Sequence, residues 1–146
     1  MQEQEIRSAL GALEVYKAQL EGIMEQQQML QVSLEEYSRA KDTLTAFATA
    51  EEGDQVMVPI GGASFIYAKV GNTQKVLVGI GTGITMEKDA PEALELMTVR
   101  TQEMLDALKK LSETRAAIEM KSEQLSQMLQ GEYQRLGQMQ QQRPLM

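Results

Sequence analysis

The 146 residues contain neither cysteine nor histidine, and no tryptophan. Without cysteine there is no disulfide framework and no thiol chemistry. Without histidine the commonest general base and the commonest metal ligand are both missing. Aromatic residues make up only 4% of the chain and apolar residues 42%. That is a thin supply for a compact core of this length, and an elongated shape or an obligate oligomer fits it better. Basic charge is scarce: 14 Lys and Arg stand against 21 Asp and Glu, for a net charge of −7. The deficit runs along the chain, with 4 bases and 8 acids in residues 1–47, 3 and 4 in 48–88, and 7 and 9 in 89–146. No segment is basic, so electrostatic binding of nucleic acid is not expected. Long apolar runs are absent as well. The opening M-Q-E-Q-E-I-R has no apolar signal region, and no stretch is long enough to span a bilayer. The expectation is one domain in a soluble, cytoplasmic protein with no membrane partner.

What the chain does have is a block of β-favouring residues from Gln55 to Glu87, flanked on both sides by helical periodicity. Four short runs are separated by glycine-bearing turns. Val56, Val58 and Ile60 alternate with Met57 and Pro59. Phe65, Tyr67 and Lys69 alternate with Ile66, Ala68 and Val70. Val76, Val78 and Ile80 alternate with Leu77 and Gly79, and Ile84 and Met86 with Thr85. Side chains alternate across a strand, so both faces of the block are largely apolar. Gly61-Gly62-Ala63-Ser64 reads as a longer hairpin loop, Gly71-Asn72-Thr73-Gln74 as the link between hairpins, and Gly81-Thr82-Gly83 as a tight turn.

The first helix is expected within residues 1–50, with apolar residues at Ile6, Ala9, Leu13, Tyr16, Leu20, Ile23, Leu30, Leu34, Tyr37 and Leu44. This is a heptad pattern over about six repeats, with Gln27 and Lys41 breaking its seam, and it reads as coiled coil. Gly53 is the expected stop. The second helix is expected over 89–141, opened by a capping-box-like Asp89-Ala90-Pro91-Glu92. Its seam reads Leu94, Met97, Met104, Leu108, Leu111, Ile118, Leu125, Leu129, Leu136 and Met139, with Thr101, Arg115, Ser122 and Glu132 at weak positions. Residues 142–146 read as a frayed tail. The fold class is α+β: a long antiparallel two-helix coiled coil joined by two β-hairpins (55–88). Residues i and j face each other where i + j is about 140. Each arm is roughly 60–70 Å long at the helical rise. The helices spend their narrow seams on each other and leave little to cover the hairpins. A strand pair alone in water is marginal, so other subunits are expected to cover it and form an intersubunit β-barrel.

The helix ends remote from the hairpins differ from the bases. Gly11, Gly22, Gly131 and Gly137 all fall there, each costing roughly 1 kcal/mol relative to Ala. These glycines either loosen the ends or permit close helix approach. Ile6, Leu10, Leu13, Met128, Leu129, Tyr133, Leu136 and Met139 offer more apolar surface than a two-helix seam buries, and Met suits promiscuous surfaces. Loose apolar ends of this kind can hold non-native polypeptide. Ile6, Leu129, Leu136 and Met139 also fit as packed seam residues, whereas Leu10, Met128 and Tyr133 lie off the seam.

No constellation for catalysis emerges. Gly79-Ile80-Gly81-Thr82-Gly83 lacks the Lys-Ser/Thr of a phosphate loop and the helix of a dinucleotide fingerprint, so it reads as a turn. Ser64 and Thr82 have no histidine to activate them. Glu51, Glu52 and Asp54 lack calcium-loop spacing. No cofactor and no metal are expected.

The segments V-M-V-P-I-G-G-A-S-F-I-Y-A-K-V and K-V-L-V-G-I-G-T-G-I-T-M-E-K, with heptads on both sides, resemble the alpha class of prefoldin subunits, closest to archaeal members. The family's hairpin pattern is V-P-I/L-G-A-G-S-F; here Gly62-Ala63 swaps the order of one Gly and Ala. Two hairpins rather than one favour alpha over beta. The resemblance implies a heterohexamer of two alpha and four beta subunits whose hairpins form a β-barrel body. Its coiled-coil tips would capture unfolded polypeptides without ATP and pass them to a group II chaperonin. Val56, Val58, Ile60, Phe65, Ile66, Val76, Val78 and Ile84 would then serve assembly, and the eight residues at the helix ends would serve client binding. The competing reading is a structural or tethering coiled coil with one native partner. A small enzyme with a glycine loop is disfavoured by the missing chemistry.

Overall fold

A computed structural model describes residues 2–71 and 75–141. The order of elements is α1 (Glu3–Ala48), β1 (Gln55–Gly61), β2 (Ser64–Lys69), β3 (Lys75–Gly81), β4 (Ile84–Asp89) and α2 (Ala90–Gln141). The chain divides into two compact units, Met1–Gln31 with Asp106–Met146, and Val32–Leu105.

The first unit is an antiparallel pair of helical segments. Its buried residues are Ala9, Ile23 and Leu129. Ile6, Leu13, Tyr16, Leu20, Gln27 and Leu30 on α1 are half-buried, as are Leu108, Leu111, Arg115, Ile118, Ser122, Leu125 and Glu132 on α2. These are the heptad positions, so the 3-and-4 spacing produces the seam it predicts. The seam ends at Glu132, however. Leu136 and Met139 continue its spacing on a helix that runs on to Gln141, yet both are exposed. Spacing alone cannot say where a partner helix stops. At Gln27 the seam turns polar: Gln27 Nε2 donates to Ser112 Oγ (3.3 Å), and Arg115 Nη1 donates to Gln27 Oε1 (3.2 Å). The pairing is the one that i + j near 140 requires. A Cβ placed on Gly11, Gly22, Gly131 or Gly137 would meet nothing within 4 Å. Close helix approach is therefore not their purpose, and the propensity cost stands alone.

The second unit holds the hairpins and the adjoining helix segments. α1 stops at Ala48, not at Gly53. Its last turn tightens through Thr49 N–H to Ala46 C=O (3.2 Å) and Ala50 N–H to Phe47 C=O (3.1 Å). Gly53, at φ +93°, serves the next turn instead, donating its N–H to Val70 C=O at 2.7 Å. Val70 N–H returns to Asp54 C=O at 2.8 Å, which extends the first hairpin past its strands.

The two hairpins share one geometry. In the first, Gln55 pairs with Lys69 and the ladder closes at Gly61 with Ser64. In the second, Lys75 pairs with Asp89 and the ladder closes at Gly81 with Ile84. Every pair of the second is the matching pair of the first moved twenty residues along. Both carry an irregularity of register at the same rung, Pro59/Gly61 and Gly79/Gly81, leaving Ile60 and Ile80 as the extra residues. The strict alternation expected to align Ile60 with Val56 and Val58 therefore ends at Pro59. Both turns are two residues long. Gly62 (φ +57°) and Ala63 (φ +57°) match Thr82 (φ +48°) and Gly83 (φ +74°), the positive pair that a type I′ turn demands. The longer loop expected at 61–64 is thus as tight as its counterpart. Of the expected link 71–74, residues 72–74 lie outside the described residues, as do 142–146.

β4 runs directly into α2, with Asp89 as its last residue and Pro91 in the first helical turn. Asp89 Oδ1 accepts from Lys75 Nζ at 2.6 Å across the hairpin. That hydrogen bond and its charge raise the Lys75 pKa above the ordinary lysine value. The buried residues of this unit are Val70 just past β2, Val78 in the middle of β3, and Ala90 and Ala93 at the start of α2.

Candidate functional sites: helix ends and hairpin faces

At the helix ends the eight expected residues separate. Leu10, Met128, Tyr133, Leu136 and Met139 are exposed, Met128 at 54% and Tyr133 at 53%. Ile6 and Leu13 are half-buried. Leu129 is buried at 4%, so it holds the helix pair together and offers nothing outward. Leu10 and Leu13 also line an open groove with Gly11, Glu14 and Lys17. Charge around the exposed group on α2 is internally matched: Arg135 Nη2 donates to Glu132 Oε2 at 2.9 Å. The result is an apolar surface without a dominant charge, suited to sequence-tolerant contact with apolar segments.

On the hairpins, Val56, Val58, Ile60, Phe65, Ile66 and Ile84 are exposed and Val76 is half-buried. Val78 is 2% exposed, so it anchors the second hairpin within its own chain. Met57, Tyr67, Leu77, Ile80 and Met86 are exposed too, with Tyr67 and Leu77 the extremes at 73% and 74%. These five add to the exposed apolar surface of the hairpins. Their signal was the apolar character of both strand faces. Apolar surface is worth about 25 cal/mol per Å² when buried, so uncovered hairpins forfeit most of what could stabilise them.

Arg100 was not legible as a functional residue. It stands beside the seam and reads as a solvated helix charge. Its partners lie far off in sequence: Nη1 donates to Tyr37 Oη at 3.1 Å and to Gly79 C=O at 2.9 Å. The guanidinium carbon lies 5.7 Å from the Tyr37 ring centroid, within cation–π range. One side chain thus ties α1, α2 and β3 together.

Among the described residues no group of His, Cys, Asp or Glu could hold a metal ion. No helix among them is long and apolar enough to cross a membrane.

Two helices bracketing a pair of exposed hairpins define an architecture known from other proteins. The Prefoldin family (prefoldin subunit) matches residues 16–135. The chain belongs to that family. Its relatives include alpha subunits. The prefoldin subunit alpha of Methanothrix thermoacetophila is 32% identical over 110 residues, 75% of this chain and 72% of that one. The alpha subunit of Methanocorpusculum labreanum is 32% identical over 131 residues, 90% of this chain and 89% of that one. Among solved structures, a chain of filamentous PFD from Methanocaldococcus jannaschii superposes with a TM-score of 0.68 at 28% identity, covering 81% of this chain and 98% of that one. The prefoldin beta subunit from Thermococcus strain KS-1 shares the fold, with a TM-score of 0.58 at 17% identity over 87% of this chain and 90% of that one.

Proposed function

We propose that the chain is the alpha-type subunit of an ATP-independent holdase. Its hairpins assemble with beta-type subunits into a heterohexamer of two alpha and four beta chains around an intersubunit barrel. Its helix ends hold unfolded polypeptide for delivery to a group II chaperonin. The observation that carries this reading is the joint exposure of Leu10, Met128, Tyr133, Leu136 and Met139 in one unit, while Leu129 stays buried among them. The chain keeps its helix pair closed and still leaves apolar side chains outward. Binding of this kind needs no bond-making group, in keeping with a sequence that has neither histidine nor cysteine.

Removing residues 1–12 and 128–146 tests it. The truncated subunit should enter the same complex by native mass spectrometry and lose suppression of aggregation of a chemically denatured client. Full suppression by the truncated complex would refute the assignment of client binding to these ends.

The filamentous relative favours a second reading, in which copies of this chain join one another through the hairpins. The two readings differ in mass: a ladder of homopolymers formed by the chain alone, or a single closed complex that needs the beta partner.

A further inference from the structure

We infer that Arg100 is a register stop for strand addition at the outer edge of β3, a specificity-determining role that rests on the assembly of hairpins proposed above. In an antiparallel pair, rungs alternate between pairs that exchange hydrogen bonds and pairs whose N–H and C=O groups point away from the partner strand. In the first hairpin Val70 N–H bonds Asp54 C=O. Counting from that bond, Gln55, Met57 and Pro59 turn their backbone groups outward, to the open edge of β1. The identical register twenty residues on turns Lys75, Leu77 and Gly79 outward on β3. Both sheets are two-stranded, so among the described residues these edges have no strand beyond them.

An incoming strand would lie about 4.8 Å from β3. At Gly79 that space is taken. Arg100 Nη1 sits 2.9 Å from the Gly79 carbonyl oxygen, and its other hydrogen is directed to Tyr37 Oη at 3.1 Å. The Tyr37 ring faces the guanidinium and holds it in place. A partner strand can therefore pair at Lys75 and Leu77 but not at Gly79. The equivalent rung of the first hairpin is Pro59, which has no N–H to donate. Both outer edges are thus blunted at one matching rung, by different chemistry. Glycine-rich strands specify register weakly, and β3 carries Gly79 and Gly81, so a fixed stop has a use there. Barrel closure depends on such a stagger.

Residue-resolved amide exchange, before and after assembly with a beta-type subunit, reads this out. The Leu77 amide should slow by about tenfold on assembly, the effect of one new hydrogen bond at the upper end of the usual range, while the Gly79 amide stays unchanged. In Arg100→Ala the Gly79 amide should gain protection as well, and Arg100→Lys, without the planar two-way fork, should fall between. Protection of Gly79 and Leu77 alike with Arg100 in place overturns the register stop and leaves the assembly reading intact. Assembly without protection at Leu77 or at the outward β4 amides of Thr85 and Glu87 overturns both. The unsubstituted protein decides the matter even if Arg100→Ala fails to fold.

Discussion

Among the described residues, Ala63 and Thr82 are the two non-glycine residues at positive φ, and they occupy opposite halves of matching turns. An L-residue in this region costs roughly 1–2 kcal/mol, and the β-branched Thr82 is the worse placed of the two. The family pattern G-A-G puts glycine where this chain has Ala63. Here alanine, not glycine, carries the positive φ at the second position of the turn. Thr82→Asn creates Asn-Gly, the sequence most favourable to a type I′ turn. It should raise the stability of the assembled protein by about 0.5–1 kcal/mol, seen as a higher urea midpoint with an unchanged slope. Ala63→Gly should gain less, because glycine returns part of the benefit as unfolded-state entropy. A lower midpoint for Thr82→Asn would mean that its hydroxyl or branched carbon has a role that outweighs the strain.

Among the elements, the helix pair carries its own imperfection at Gln27. A polar residue at a seam position fixes register and orientation at a cost in stability. Gln27 meets that cost by accepting from Arg115 and donating to Ser112, and Arg115 also donates to exposed Glu119 at 2.9 Å. Replacing Gln27 and Arg115 together by Leu should stabilise the pair by about 1–2 kcal/mol, since a half-buried polar layer gives way to apolar packing. Arg115→Leu alone should destabilise, because Gln27 is left with an unmet acceptor. Thermal unfolding of the double and single variants separates these outcomes; a double variant weaker than either single one would contradict the layer's role as a register device.

Legibility follows the same division. Heptads gave both helices and their facing residues, because a 3-and-4 spacing can be satisfied in few ways. Alternation gave four strands, and their two-sided apolar character gave the need for partners. The bulges at Ile60 and Ile80 and the true length of the 62–63 turn were hidden, since a turn with Ala at positive φ violates the local preference used to read it. Val78 and Leu129 passed as surface candidates because periodicity assigns a face and cannot say whether that face is already covered. Arg100 was hidden because its meaning resides in contacts to Tyr37 and Gly79 that only the fold creates.

At the scale of the molecule, the two units carry opposite demands. One closes its seam and leaves a small apolar group outward; the other exposes most of its strand residues on both faces. The exposed hairpin residues, among them Val56, Phe65, Tyr67, Leu77 and Ile84, form a surface far more apolar than a lone chain in water sustains. In the assembly proposed above, that surface meets other subunits of the family to which the chain belongs. Burial in an assembly then makes stability inseparable from subunit concentration. Native mass spectrometry and equilibrium unfolding of the purified chain, over a dilution series with and without a beta-type partner, test this directly. The account predicts a complex of defined mass with the partner, and an unfolding midpoint for the chain alone that falls on dilution. A compact monomer that unfolds cooperatively at a midpoint independent of concentration would contradict it.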